Sequence, residues 1–330
     1  MERIMLAHGS GGRLSHELIL NLFQKYLGNP FLNQMNDAAL LPGREQIAIT
    51  TDSFVVSPLF FRGGNIGKLA VCGTINDLAV SGAIPKFLTL ALILEEGLPI
   101  DELEQIIKSV AETAAEAGIV IVSGDTKVVE RGSADKIFIN TTGIGYITDR
   151  LVGPERIQPG DEILITGTIG DHGIAILSER EGLEFQTPVV SDCAPLNNLI
   201  DTFYLPGVKC MRDPTRGGVA TTLNELAKQA GVSMLLNEER LPLSPSVEGA
   251  CGMLGLDPLY LANEGKVLVV VSADVADQVL QNMQAHPLGR NAARIGRVEE
   301  GKPGFVLLET LLGGKRIVGM LEGEHLPRIC

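Results

Sequence analysis

The chain has 330 residues, 45% of them apolar and 20% charged, and carries 27 Lys and Arg against 40 Asp and Glu, a net charge of −13. That length suits two domains that each bury a core. That charge excludes a surface that tracks a nucleic-acid backbone or a lipid-phosphate layer. No apolar run approaches the ~20 residues that span a bilayer, and the opening MERIMLAHGSGG lacks the basic and long apolar regions of a secretory leader. Cys72, Cys193, Cys210, Cys251 and Cys330 are odd in number, scattered and free of any C-x-x-C pair. The expectation is a cytoplasmic protein with reduced thiols, not a disulfide framework or a structural zinc site.

In chain order, Leu14, Leu18, Leu22, Phe23 and Tyr26 recur at helical spacing after a Gly-rich opening. Residues 47–56 are rich in β-branched side chains and predict a strand, 66–81 a helix and 87–94 a buried strand. The clearest helix is 101–117: Asp101 and Glu104 make a capping box, Leu103, Ile106, Ile107 and Val110 form the apolar stripe, and Gly118 stops it. Strands follow at 119–123 and 136–147. The polar stretch TDRLVGPERIQPGD (148–161) has two prolines and no period, so it divides a first domain, 1–150, from a second, 151–321. The second half then offers a strand at 162–166, a helix opened by GDHG, a helix at 217–230, a strand at 266–272, a helix at 274–285 and short strands after Arg294. Strands and helices interleave throughout, which predicts mixed α/β layers in both halves. The last nine residues, 322–330, show no period and predict a mobile tail.

The familiar nucleotide loops are absent. In RGGNIGKL (62–69) only three residues separate Gly63 from Gly67, and Leu69 follows Lys68 where a P-loop needs Ser or Thr; no G-x-G-x-x-G follows a strand either. Instead His8-Gly9-Ser10-Gly11-Gly12 precedes a helix, a composition that lets backbone N–H groups approach a phosphate and that equally suits a flexible arm. Asp37, Asp52, Asp77 and Asp125 each sit at the edge of a predicted element. Magnesium favours a few carboxylates plus phosphate oxygens, so dispersed aspartates could serve one nucleotide; each could also cap a helix or close a turn. Asp77 fits the second role least, because it lies inside a helical pattern. Asp125 and Lys127 share one face if their segment is extended, which sets a cation beside a carboxylate, as phosphoryl transfer or a plain surface ion pair would have it. Asp213-Pro214-Thr215-Arg216-Gly217-Gly218 opens a helix and forms an anion-friendly terminus with an arginine attached. Glu264 in ANEGK lies at a strand mouth, where a general base or a solvated glutamate would sit; His172 in GDHG suits a ligand contact or a cap.

Cys330 is the terminal residue. A nine-residue tail could extend up to roughly 30 Å, enough to carry a thiol from the surface into a cleft.

Together HGSGG, NDAAL, TTDSF, GGNIGKLAVCGTINDLAVSGAIP, SGDTKVVERG, RDPTRGG, ANEGK and the terminal PRIC resemble the HypE family of hydrogenase maturation factors, over residues 8–330. The middle motifs are shared with the wider aminoimidazole ribonucleotide synthetase-like superfamily; the terminal cysteine is what sets this family apart. The resemblance implies a two-domain α/β protein that forms a homodimer, with N-terminal sheets pairing across the two-fold axis and ATP in a cleft beside them. It also implies a reaction. A carbamoyltransferase, HypF, loads the Cys330 thiol, ATP drives dehydration of the S-carboxamide to an S-cyanide, and the HypC–HypD complex accepts the cyano group for the iron of [NiFe]-hydrogenase. Carried over motif by motif, Asp37, Asp52, Asp77 and Asp125 become the magnesium ligands, Gly9, Ser10, Gly11 and Gly12 the phosphate cover, and Lys127 and Glu264 the catalytic cation and base. Gly64, Lys68, Asn76, Asp213 and Arg216 become nucleotide or tail contacts. Two other readings stay open: a small-molecule kinase or synthetase of the same superfamily, for which the tail is irrelevant, and a non-catalytic carrier of a modified cysteine.

Overall fold

The computed structural model describes residues 3–10, 13–35, 38–180, 187–322 and 329. The predicted N-terminal helix forms as α1 (Arg13–Leu18) and α2 (Gln24–Leu27), joined by a wider π turn over Ile19–Phe23. Then come β1 (Ile47–Phe54), the short hairpin β2 (Phe60–Phe61) and β3 (Gly64–Asn65), α3 (Ile66–Val80), β4 (Ile84–Glu95), α4 (Ile100–Ala117), β5 (Val120–Val129) and β6 (Ile137–Tyr146). Strands β1, β6, β4 and β5 make one four-stranded sheet in that order, with β4 and β5 parallel across the α4 crossover. The expected capping box on α4 does not form. Pro99 is the N-cap and offers no side chain, Asp101 falls in the first turn, and Glu104 accepts instead from Lys25 and Tyr26, tying α4 to α2.

The second half contains β7 (Glu162–Ile165), α5 (Asp171–Ser178), α6 (Asn197–Phe203), β8 (Val208–Arg212), α7 (Gly218–Ala230), β9 (Ser233–Asn237), α8 (Pro245–Leu254), β10 (Leu268–Val271), α9 (Ala276–Ala285), β11 (Ala293–Glu299), β12 (Phe305–Glu309) and β13 (Lys315–Ile317). Its seven strands run β13-β12-β9-β11-β7-β10-β8, all antiparallel except the β12–β9 pair. Both halves are therefore mixed α/β layers. Sequence periodicity did not disclose β8 and β9, which are short and largely buried, so no polar face marks them, nor α6 and α8, which are short and bury only Leu199, Ile200 and Phe203 and only Val247, Ala250 and Cys251, respectively.

The two halves meet on α3. One side of that helix packs on β1 and β6, where the Thr74 and Thr141 hydroxyls meet at 2.5 Å. The other side joins the second half, and Ala79 and Val80 enter the same apolar cluster as Leu164, Leu196 and Phe203. A helix covered on all sides must be apolar on all sides, and every residue of α3 is buried except Lys68 and Asp77.

Candidate active site

Lys68 and Asp77 are two and a half turns apart, so they leave α3 on opposite sides and about 14 Å apart along its axis. Each marks one end of the junction between the halves.

At the Asp77 end, Thr50 Oγ1 on β1 donates to Asp77 Oδ2 at 2.8 Å. Asp52 lies on the same face of β1, two residues on. Asp213 follows β8 and is buried. Asp52, Asp77, Asp213 and Arg216 all line a cavity of about 730 Å³ between the first sheet, α3 and the second half. Burial, and then the charge of Asp52, push the Asp77 carboxyl up to about 6. Burial, and then the charge of Asp77, push Asp213 up to about 7. Arg212 relieves both only in part. Asp77 and Asp213, raised by burial and by negative neighbours, are short of positive charge, and a divalent cation carrying phosphate oxygens would supply it. The cavity thus suits magnesium that arrives on nucleotide phosphates, with Asp52, Asp77 and Asp213 as candidate carboxylates that do not enclose an ion by themselves.

Asp125 and Lys127 lie elsewhere. Their segment is extended and both are exposed on one side of β5, as their spacing predicts. Asp52 pairs with Thr141, Thr141 with Leu90, and Leu90 with Gly124. Asp125 therefore points to the opposite face of the sheet from Asp52, across roughly three strand spacings, or ~14 Å. It shares a second cavity of about 330 Å³ with Gly9 and Lys127, floored by Leu18, Ile19 and Phe23. Gly9 approaches β5 so closely that a Cβ would stand 2.6 Å from the Val128 nitrogen, so no other residue fits there. Ser10 is exposed and its hydroxyl bonds the Ala7 carbonyl. Of the four expected magnesium aspartates, the three described ones, Asp52, Asp77 and Asp125, are thus not brought together within one chain. Among the described residues no group of three or more His, Cys, Asp or Glu is close enough to enclose a metal. Asp37, Gly11, Gly12 and Cys330 lie outside the described residues.

At the Lys68 end, Lys68 Nζ donates to the Gly63 carbonyl at 2.9 Å, beside Gly64 in the β2–β3 hairpin. Asn76, expected among the nucleotide contacts, lies next to Asp77 rather than at the Lys68 end; it is buried, and its amide group clamps the two halves. Its Nδ2 donates to the carbonyls of Ala194 at 3.1 Å and Glu264 at 3.4 Å, and its Oδ1 accepts from the Leu196 N–H at 2.8 Å. Glu264 is 3% exposed, and its Oε1 is buried without a hydrogen-bond partner. Burial, then the neighbouring Cys193 and Asp213, push this carboxyl well above the ordinary carboxylate range. Its backbone N–H donates to Asp192 Oδ1 at 3.1 Å, and Asp192 pairs with Lys266 at 3.1 Å. Burial opposes the charge on Asp192, yet Lys266 and the Glu264 N–H hold it below the ordinary range. Gly265 is required because a Cβ there would overlap the Asp192 carbonyl.

The C-terminus returns to this end. Ile329, expected to belong to a mobile tail, is 7% exposed and belongs to the apolar cluster that contains Cys72, Cys193, Ile176 and Ala262. Its carbonyl lies 2.8 Å from His172 Nε2.

Residues that the sequence left unmarked complete both ends: Thr50 and Arg212 at the acidic cavity, Ser191, Asp192 and Lys266 near Glu264. No polarity period marked Ser191 and Asp192: Thr187, Val189, Ser191 and Cys193 are the buried positions of their extended segment, yet Val190 is exposed and Ser191 buried.

Two family descriptions match: residues 35–147 fit the AIR synthase related protein N-terminal domain, and residues 158–309 the AIR synthase related protein C-terminal domain. The carbamoyl dehydratase HypE of Cupriavidus necator is 51% identical over 333 residues, covering 99% of this chain and 95% of that protein. A crystal structure of the hydrogenase maturation protein HypE in complex with ATP superposes with a TM-score of 0.95 at 49% identity, covering 99% of each chain. The HypE chain of a HypE–HypF complex gives a TM-score of 0.81 at 51% identity, covering 92% of this chain and 99% of that one. Half-identical sequence across almost the whole length, with the same fold, places the chain in the HypE family of carbamoyl dehydratases, within the AIR synthase related proteins.

Proposed function

We propose that the chain dehydrates a carboxamide carried on the thiol of Cys330, using ATP, to give an S-cyanide for the iron of [NiFe]-hydrogenase. The observation that carries this reading is the burial of Ile329 in the apolar cluster that holds Cys193, with its carbonyl on His172 of the second half. A chain end that is only a carrier has no reason to be buried there.

An amide oxygen is a poor leaving group. Transfer of the γ-phosphoryl group of ATP to the carboxamide oxygen releases ADP and converts that oxygen into phosphate. Breaking the C–O bond while both N–H protons are removed then gives C≡N and free phosphate. Glu264 is the proposed base, and its burial supports that role: a carboxylate with few hydrogen bonds in an apolar shell takes up a proton readily. Magnesium, when bound with the nucleotide, neutralises phosphate charge; Asp52, Asp77 and Asp213 are the residues that would hold it. Arg216 at the same cavity suits the nucleotide phosphates.

Lys127, the proposed catalytic cation, and Asp125 lie on the exposed sheet face that also carries Ile47, Ile49 and Ile93. Covering that apolar face requires another surface, and a second copy of the same face, as in the implied homodimer, would also bring Asp125 and Lys127 to a shared cleft. Residues 1–150 are taken as the nucleotide-binding and pairing domain, 151–321 as the second domain and 322–330 as the carrier tail. HypF, which a HypE binds in the solved complex, is the proposed carbamoyl donor and HypC–HypD the acceptor, all in the cytoplasm. Among the described residues no helix is long and apolar enough to cross a membrane.

The test is mass spectrometry of the C-terminal peptide. After carbamoylation by the partner and addition of magnesium and ATP, the Cys330 adduct is expected to lose one water. A carboxamide that persists would overturn the reading and leave the carrier role.

A further inference from the structure

His172 opens α5 and is fully buried. Three separate parts of the chain meet on its ring. Phe61, from the β2–β3 hairpin of the first half, packs edge-on with ring centres 5.6 Å apart. Ser191 Oγ lies 2.8 Å from Nδ1. The carbonyl of Ile329, the penultimate residue, lies 2.8 Å from Nε2.

A carbonyl only accepts, so Nε2 carries the proton and donates to Ile329. Burial holds the ring neutral by lowering its pKa, so Nδ1 has a free lone pair and Ser191 Oγ–H donates into it. The Cys193 N–H in turn donates to Ser191 Oγ at 3.1 Å. The bonds all run one way: Cys193 N–H to Ser191, Ser191 to His172, and His172 to the tail. Ser191 therefore selects the tautomer that His172 needs in order to hold the chain end. Ser191 is anchored by its own N–H, which donates to the Arg62 carbonyl at 2.9 Å, beside the hairpin.

From this relay we infer that His172 is a positioning residue that latches the C-terminal tail into the interdomain site, with Ser191 setting its tautomer; the inference deepens the tail chemistry proposed above and rests on it. The strength of the latch suits a tail that must leave to be loaded and leave again to deliver. One neutral hydrogen bond shifts the balance between docked and free tail by only about tenfold, whereas a buried ion pair at this point would resist release.

The experiment uses the full-length dimer and two readouts. The first is the rate at which a thiol reagent labels Cys330; the four other cysteines are buried and react slowly. The second is single-turnover dehydration of the pre-carbamoylated protein. His172→Ala is expected to label Cys330 about tenfold faster and to dehydrate about tenfold more slowly, while accepting the carbamoyl group from its partner at least as fast as wild type. His172→Gln, which keeps a donor near Nε2, is expected to recover most of both effects, and Ser191→Ala to show them in weaker form. Labelling and dehydration equal to wild type in His172→Ala would overturn the latch. So would equal losses in the Ala and Gln variants with a lowered melting temperature, since His172 would then be a packing residue only. If wild-type carbamoylated protein fails to dehydrate, the function proposed above falls, while the labelling rates still decide whether His172 holds the tail.

Discussion

Two regions of this molecule hold carboxyl groups far above their ordinary pKa values, and they differ in what would relieve them. At the open end of α3, Asp77 and Asp213 are raised by burial and by negative neighbours around a cavity of about 730 Å³. Beside it, against Asn76 of the same helix and close enough to feel Asp213, Glu264 has almost no exposure and one oxygen without a partner. A cation relieves the first region, and a proton relieves the second. The same perturbation thus marks a metal–nucleotide site and an adjoining acid–base site, which meet at Asn76, next to Asp77 on α3.

The comparison breaks most sharply at Glu264. Glu264→Gln keeps the shape and removes the base, so dehydration is expected to fall by about 10²–10⁴-fold, with magnesium–ATP affinity little changed. The measurement is single-turnover loss of water from the carbamoylated tail; a cyanated product formed at the wild-type rate would remove Glu264 from the chemistry.

Asn76 joins the two regions. Asn76→Ala strands the buried Leu196 N–H and frees the Glu264 carbonyl, an expected cost of about 2–3 kcal/mol. Urea unfolding measures that cost. Dehydration should suffer more than nucleotide affinity, because the Glu264 strand mouth is what Asn76 positions. Asp77→Asn acts on the other side: magnesium-dependent ATP affinity should weaken about tenfold, read by calorimetry with and without magnesium, and Glu264-dependent chemistry at saturating nucleotide should change less.

Much of this division was legible in the sequence, and its limits have physical causes. The motif containing Asn76 and Asp77 stood out because an aspartate inside an apolar helix demands a reason, and α3 leaves Asp77 and Lys68 alone uncovered. Period two correctly set Asp125 and Lys127 on one face. What spacing along one strand could not disclose was the register across four, which turns Asp125 away from Asp52. The α4 capping box failed for a similar reason: Glu104 has partners at Lys25 and Tyr26, far along the chain. His172 carried no decisive local signal, because its partners are 19 and 157 residues away.

The smallest expected effect concerns stability, and the raised carboxyls of both regions give it the same sign. Asp213 has an ordinary value of 3.8 and is raised to about 7 in the folded chain; Asp77 is raised to about 6. Between these limits the folded state keeps protons that the unfolded chain has released, so ligand-free stability falls as pH rises from about 4 to about 7 and levels off above. Asp213→Asn carries no charge to repel, so it should flatten that decline and stabilise the ligand-free protein at pH 8 by about 1 kcal/mol or more, a rise of a few degrees in melting temperature. Magnesium with ATP should raise the melting temperature of wild type at pH 8 more than that of Asp213→Asn, because binding to the folded state relieves a repulsion the variant lacks. Thermal melts at pH 5, 6.5 and 8, with and without magnesium–ATP, measure both slopes. A wild-type protein that gains stability across this range would show that the cavity carboxylates already have their counter-charge within the chain.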